Sequence, residues 1–580
     1  MNRTDRSFLV VAMLAAALAL VALPLGATGA EETAMEAAPD GMPTHGGKLT
    51  MYYWGGEANT ADRTTGGWQT NQYTEAVVES LMDTDLERFG ARGTGEYTVD
   101  VTRAVPEKFL GPVLATGWEV TAEQITFTIR EGVMFAADGK DHVMESREMT
   151  ADDVAFSLNR ALDSRMGSAR VENGGYIESV EATGPYTVTV NTNGFNALWL
   201  RLGKWSSSTG IVAPEYVEAG ANSFDNLVAT GPFIVDEYVV GSHARYLRNP
   251  NYWATTTIDG VVYDDIPFID ELVLPIIPDE STRIASLRTG GIDLNFVVST
   301  SFEDTLERSA PELQKVKWVE NWTPALALNQ NNPILANKDV RRALMIGMDM
   351  ETLVAGAWGY GTAYMFSDSS TDLSMPLDTL PPSTQELFDY DPEKAKQMLA
   401  DAGYPDGFKV DLVYNLQWTG GTWGDMANIF ASLWGEIGVE LELRAMEPTA
   451  MMALFNSLEG YDIGVMTAPW NNPNTLGVID QYTVGHGGNR ANYENQYLTD
   501  RYREALKTVD TAEREATLRE LVNILLDDVV TIPIGNKGQN VMWWPWVQNY
   551  YGELACGVWC LGRHIAPIWI DQNMKESMGY

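Results

Sequence analysis

Five histidines, at positions 45, 142, 243, 486 and 564, and two cysteines, Cys556 and Cys560, are the side chains of this chain best suited to holding a transition metal. No two of the histidines have the His-x-x-x-His spacing of a helical metal site, and two cysteines cannot build a four-cysteine zinc or iron–sulfur site. Neither a metal nor a cofactor is expected. The sequence also lacks a Gly-x-Ser-x-Gly elbow, a Ser-x-x-Lys pair, a phosphate-binding Walker loop and a Gly-x-Gly-x-x-Gly turn, so the nucleophilic and nucleotide-dependent enzymes have no signature here. A carboxylate-pair hydrolase stays open as a different class, because its two acids are brought together in space rather than in sequence.

The residue types that fit a chemistry are aromatic and amide. Trp68, Trp418, Trp423 and Trp470 stand in Gly-, Asn- and Thr-rich segments that read as loops, and Asn471 and Asn472 follow Trp470 directly. Indole faces on loops stack against apolar or sugar rings, and amides donate and accept hydrogen bonds without carrying charge. These six residues are the candidate ligand contacts. Core packing is the competing reading for each tryptophan in a chain that carries 18 of them.

Elements must position such loops. At 580 residues the chain is too long for one core, and 45% hydrophobic residues supply enough apolar surface for two or three domains. With 79 acidic against 39 basic residues the net charge is -40, which repels a phosphate backbone and excludes nucleic acid as a natural partner. Arg3 and Arg6, the apolar run Phe8 to Leu23, Pro24 and the small residues 26–30 have the layout of a secretory signal, against the alternative of an uncleaved anchor. Export implies an oxidising compartment, in which Cys556 and Cys560 are expected to form a short disulfide loop. Residues 31–47 read as a flexible acidic leader.

Beyond it the pattern is α/β. Leu49 to Trp54 and Tyr186 to Val190 read as strands. Thr150 with Asp153 predicts a capped helix whose apolar stripe is Val154, Leu158, Ala161 and Leu162. Asp391-Pro392-Glu393 with Gly403 bounds a second helix, and Leu518, Leu521, Val522, Leu525 and Leu526 mark a third over 512–527, before the strand-like run Val529 to Ile534.

Seven phrases in order carry a resemblance. They are Leu114 to Val120 with Phe127 to Phe135; Met149 to Val154; Thr230-Gly231-Pro232-Phe233; Arg248-Asn249-Pro250-Asn251-Tyr252-Trp253; Ile276 to Asp279 with Thr282-Arg283; Asp339 to Leu344; and Tyr390 to Ala395 through Ala402 to Pro405. From about residue 48 to 550 the chain resembles the family 5 extracellular solute-binding proteins, which serve ABC importers of peptides, nickel complexes and some oligosaccharides. The resemblance implies a two-lobed periplasmic binding protein fold with an extra subdomain and a ligand cleft between the lobes. Lobe I is expected at 45–80, 191–318 and 536–580, the subdomain at 81–190 and lobe II at 319–535. The implied partners are a solute and the transmembrane subunits of an importer, with the protein a periplasmic monomer; no cysteine ends the signal segment to take a lipid.

One departure bears on the ligand. Peptide-binding members hold the α-amino group with an Asp in a loop that matches Met466 to Pro473, where this chain has Pro469 or Asn471. No Asp or Glu lies between Asp462 and Asp480, and no Lys or Arg between Arg444 and Arg490. Burying an unpaired ligand charge costs several kcal/mol, on the order of the desolvation of an ion, so a ligand gripped there by both charged ends is disfavoured. Peptide or peptide-like solutes and oligosaccharides both stay open, as does a folding factor that binds unfolded chains weakly.

Overall fold

Strand β1 (Lys48–Tyr52) buries Leu49 and Met51 completely and is paired in parallel on both edges. The computed structural model describes residues 41–53, 56–85, 110–164, 176–199, 209–319, 324–362, 364, 373, 375–415, 423–466, 475–553 and 561–580, with Trp68 by its backbone alone. Thr44–Tyr580 form one unit. Residues 44–47 of the expected leader already belong to that unit. His45 Nε2 lies 2.6 Å from Asp265 Oδ2, and the Gly46 N–H donates to the Phe268 carbonyl at 2.8 Å, so the end of the acidic leader is already fastened.

After α1 (Trp68–Thr74) come β2 (Met82–Thr84) and β3 (Leu110–Pro112), an antiparallel pair. Strands β4 (Ala115–Val120), β5 (Gln124–Ile129), β6 (Ile177–Gly184) and β7 (Thr187–Thr192) then build a separate antiparallel sheet in the order β4-β5-β7-β6. Helix α2 (Ala151–Asp163) buries Val154, Leu158 and Leu162; Ala161, expected with them, is half-buried. Its capping box is formed, the Thr150 N–H donating to Asp153 Oδ2 at 2.9 Å.

The next strands are β8 (Phe233–Val239), β9 (His243–Arg248), β10 (Thr256–Ile258), β11 (Val261–Tyr263), β12 (Glu271–Pro275), β13 (Leu294–Ser299) and β14 (Gln314–Val319). The chain then enters a second α/β region: β15 (Ala325–Leu328), α3 (Lys338–Ile346), α4 (Met350–Trp358), β16 (Gly361–Thr362), α5 (Pro392–Asp401), β17 (Phe408–Asn415), α6 (Trp423–Glu436), β18 (Val439–Met446), β19 (Ile463–Met466), α7 (Gln496–Lys507), α8 (Thr511–Asp527) and β20 (Thr531–Pro533). It returns as β21 (Asn536–Trp543). The large sheet of the first lobe runs β14-β21-β13-β1-β12-β9-β8, and the five-stranded sheet of the second runs β18-β17-β19-β15-β20. Helix α5 falls where its end signals put it, with Asp391 Oδ1 accepting from Lys394 N–H at 2.9 Å and Gly403 following at φ +97°, and α8 falls where its apolar spacing put it, capped by Asp510, whose Oδ1 accepts from Glu513 N–H at 2.8 Å.

Glu75 and Glu79 are among the carboxyl groups buried in the first lobe. Glu79 accepts from Thr230 Oγ1 (2.9 Å), Tyr252 Oη (2.8 Å) and Trp253 Nε1 (2.8 Å), which ties the segment after α1 to the Asn-Pro-Asn-Tyr-Trp phrase 173 residues away. The Trp253 ring lies under the Arg130 guanidinium, 4.3 Å from its centroid. Glu75, four residues earlier, is held well above its usual value of 4.5 by burial, against the opposing charge of Arg63. A carboxyl whose pKa is raised on folding stabilises the fold fully below its unfolded value and loses that contribution as pH climbs through the folded one.

Two outcomes follow from these groups. Glu79→Ala leaves three donors without their acceptor, at about 1–3 kcal/mol each, and is expected to lower the urea midpoint sharply without changing the slope. Glu75→Gln cannot ionise, so its thermal midpoint is expected to match the parent at pH 4 and to exceed it increasingly from pH 5 to 8. Parallel melting-versus-pH curves for the two proteins contradict this account.

Candidate ligand-binding cleft

Strand direction decides where the chain can present loops to one space. The two lobes are joined by two segments, from Val319 at the end of β14 to Ala325 at the start of β15, and from Pro533 at the end of β20 to Asn536 at the start of β21. The strands that flank these segments lie side by side, β15 antiparallel to β20 (Ala325 opposite Pro533) and β14 to β21 (Val319 opposite Gly538). The Ile534 N–H donates to the Pro324 carbonyl at 3.0 Å, beside the first of these pairs.

From that seam the remaining directions follow. In the first lobe β13 is antiparallel to β21 and parallel to β1, so both end at the seam side, at Ser299 and Tyr52. In the second lobe β19 is antiparallel to β15, with Met466 opposite Ala325, and β17 and β18 are parallel to β19 and to each other. Asn415, Met446 and Met466 therefore end at the seam side too. The carboxyl ends of the parallel strands of both sheets open onto one interlobe space, the position where α/β folds bind ligands.

The sequence candidates leave from these ends. Trp68 opens α1, in the stretch that follows β1. Trp418, Trp470, Asn471 and Asn472 lie outside the described residues, in the stretches that follow β17 and β19, and Cys556 and Cys560 also lie outside them. Trp423 is a correction. It starts α6 and is wholly buried, in the same core as Met426, Phe430 and Trp434, so it offers no stacking face. The apolar residues at 423, 426, 427, 430, 433 and 434 have helical spacing, and the preceding Gly-Gly-Thr obscured that signal. Much of the tryptophan excess is likewise core: Trp199, Trp318, Trp434, Trp544 and Trp546 are all buried.

The lobes meet at a second place. The Ala197 N–H donates to the Leu506 carbonyl at the end of α7 at 2.8 Å. Leu198 and Trp199 belong to the same extended apolar cluster as Leu498, Tyr502 and Ala505.

Sequence reasoning missed a pocket beside α1 that has charged side chains in a largely apolar lining. About 100 Å³ in volume, it is lined by the 61–64 loop, Asn71, the end of α2 and residues 209–212. Arg160 of α2 grips Asp62 with both guanidinium nitrogens, Nη1 reaching Oδ1 at 2.9 Å, and Thr64 donates to Asp62 Oδ1 from its amide (3.0 Å) and hydroxyl (2.8 Å). Burial works to raise the Asp62 carboxyl, but these donors outweigh it and hold it below its usual value. Arg63 is fixed by Nε, which donates to Thr74 Oγ1 at 2.7 Å. Gly210 is required here: a Cβ would stand 2.1 Å from Val78 Cγ1 and 3.2 Å from Arg63 Nη1. Asp62 and Arg160 are 98 residues apart, and nothing local in the sequence pairs them.

Comparison with known proteins places this architecture. It is the two-lobed binding-protein fold: the ABC transporter substrate-binding protein CtaP from Listeria monocytogenes superposes with a TM-score of 0.71 at 20% identity, over 91% of this chain and 100% of that one. The family described as bacterial extracellular solute-binding proteins, family 5, middle region, matches residues 110–492, and the chain belongs to that family. Among its relatives, Heme-binding protein A of Haemophilus influenzae is 28% identical over 355 residues, 57% of this chain and 60% of that protein. Di/tripeptide-binding protein 2 of Pseudomonas aeruginosa is 25% identical over 459 residues, 73% of this chain and 81% of that protein.

Two variants separate core from cleft. Trp423→Ala is expected to cost about 3–5 kcal/mol of stability, as large-to-small core changes do, and to leave the ligand affinity of the folded protein unchanged. A loss of affinity without a loss of stability puts Trp423 back in the cleft. Ala197→Pro removes the lip's N–H donor and is expected to enlarge the radius of gyration of the ligand-free protein in small-angle scattering; an unchanged radius means that the lip does not hold the lobes together.

Proposed function

We propose that this protein is the periplasmic substrate-binding component of an ABC importer, which captures peptide or peptide-like solutes between its lobes and delivers them to the membrane permease. The observation that carries the reading is the convergence of strand carboxyl ends from both sheets on one space, bounded by a two-segment hinge and a lip. Such a clamp encloses a solute and changes shape when it does, which gives a membrane partner something to recognise. The name of the Pseudomonas relative supports a peptide, and that of the Haemophilus relative extends the range to a larger planar ligand. No catalytic role is assigned.

The lobes are taken as 45–80, 191–318 and 536–580 for the first and 319–535 for the second, with 81–190 as the subdomain. Residues 1–30 act as a cleaved signal, and the mature monomer is free of a lipid anchor; among the described residues no helix is long and apolar enough to cross a membrane. Cys556 and Cys560 close a short disulfide, and Trp68, Trp418, Trp470, Asn471 and Asn472 face the solute. An oligosaccharide is the second reading, favoured by the absence of charged residues between Asp462 and Asp480.

A thermal-shift screen of the mature protein against short peptides, oligosaccharides and nickel chelates tests this. A ligand at about 100 times its Kd adds roughly 2.7 kcal/mol, so stabilisation by peptides is the expected result. Stabilisation by sugars alone replaces the peptide with the second reading. Steady turnover of a labelled substrate by the purified protein overturns the binding role in favour of a hydrolase.

A further inference from the structure

One lysine is treated differently from the others. Among the described residues Lys140 is the only buried lysine, at 7% exposure. Lys315, Lys338, Lys394, Lys409 and Lys575 each reach a carboxylate, whereas the Lys140 Nζ makes neither a hydrogen bond nor an ion pair. It is not among the polar atoms sealed from solvent, so the amine is enclosed along its stem and open at its tip.

The backbone holds it there. The Lys140 N–H donates to the Ala137 carbonyl at 2.8 Å, and the Lys140 carbonyl accepts from the Val143 N–H at 2.7 Å. Ala137 and Met144, to either side, are buried in an apolar cluster. His142 Nε2 lies 3.2 Å from Asn226 Oδ1, which brings the turn against residues 224–226.

Two acids act on the amine from outside the turn, Asp225 and Asp236 of β8, and Asp236 is itself engaged by Arg245 at 2.5 Å. Asp138, Asp141, His142 and Glu145 of the turn are exposed. Desolvation outweighs the two acids and holds the Lys140 ammonium below its usual 10.5. At neutral pH a larger share of this amine is therefore free base than of an exposed lysine, which is the condition for a nucleophilic lysine.

We infer that Lys140 is a site of covalent capture for small aldehydes. The Nζ lone pair attacks the carbonyl carbon, a C–N bond forms, a proton passes from nitrogen to oxygen, and loss of water leaves an imine; no electrons are gained or lost. The neighbouring charge favours this product over an adduct of carbon dioxide. A protonated imine is a cation that Asp225 and Asp236 attract, and a carbamate is an anion that they repel. This chemistry is separate from solute capture between the lobes.

The test incubates the mature protein with propanal at pH 7, reduces the imines with a hydride and quantifies each modified lysine by peptide mapping. Lys140 is expected to react at least threefold faster than any other lysine, and its lead is expected to vanish as pH approaches 11, where exposed lysines lose their protons too. Equal or slower labelling of Lys140 at pH 7 overturns the inference. A lead that does not change with pH overturns it as well, because access alone would produce that. A carbamate signal from Lys140 in 13C-bicarbonate overturns the choice of aldehyde. Lys140→Arg should abolish the fast phase of propanal uptake and leave the slow phase unchanged; the mapping itself is done on the natural sequence and does not depend on how that variant folds.

Discussion

Everything in this molecule is oriented by the seam between its two crossings. Because β15 lies beside β20 and β14 beside β21, both antiparallel, the chain has to leave one sheet and enter the other at a single edge. Once that edge is fixed, the parallel pairings of β1 with β13 and of β17 with β19 dictate that strand after strand ends there. The seam itself is tight. Gly361 packs so closely on β21 that a Cβ would stand 2.1 Å from the Asn536 carbonyl oxygen, and Gly538 lies under the Tyr360 ring in the same way. Two glycines thus let a segment of the second lobe, β16, add to the sheet of the first.

Around this frame, acidic surface and apolar interior have separate roles. The excess of carboxylates is carried outside, while the few inside are either saturated with donors, as Glu79 is, or pushed towards neutrality, as Glu75 is. Asp62 is the third case, buried and ionised, and it requires Arg160 for that. These three treatments of one functional group lie within 18 residues of chain, between the end of β1 and β2.

Local signals in the sequence were legible where local physics decides. The caps at Thr150 and Asp391 start α2 and α5, and the apolar spacing of α8 identified its buried face. Phrases scattered from Leu114 to Pro405 indicated the family and so the two lobes. What could not be read were pairings made at a distance: Asp62 with Arg160, Glu79 with Tyr252 and Trp253, and the lip between Ala197 and Leu506. Trp423 is the instructive error, since a glycine-rich approach suggested a loop while the residues after it already had the spacing of a buried helix.

The lip has a kinetic meaning. It joins the lobes through one backbone hydrogen bond and a cluster of apolar side chains, none of which belongs to the solute. In the proposed binding role, a solute held behind that patch has a residence time that includes its separation, a contact that is the same for every cargo. Solutes of different chemistry are then released at more similar rates than their own contacts dictate, which suits a carrier whose cargo varies while the next handover step stays the same.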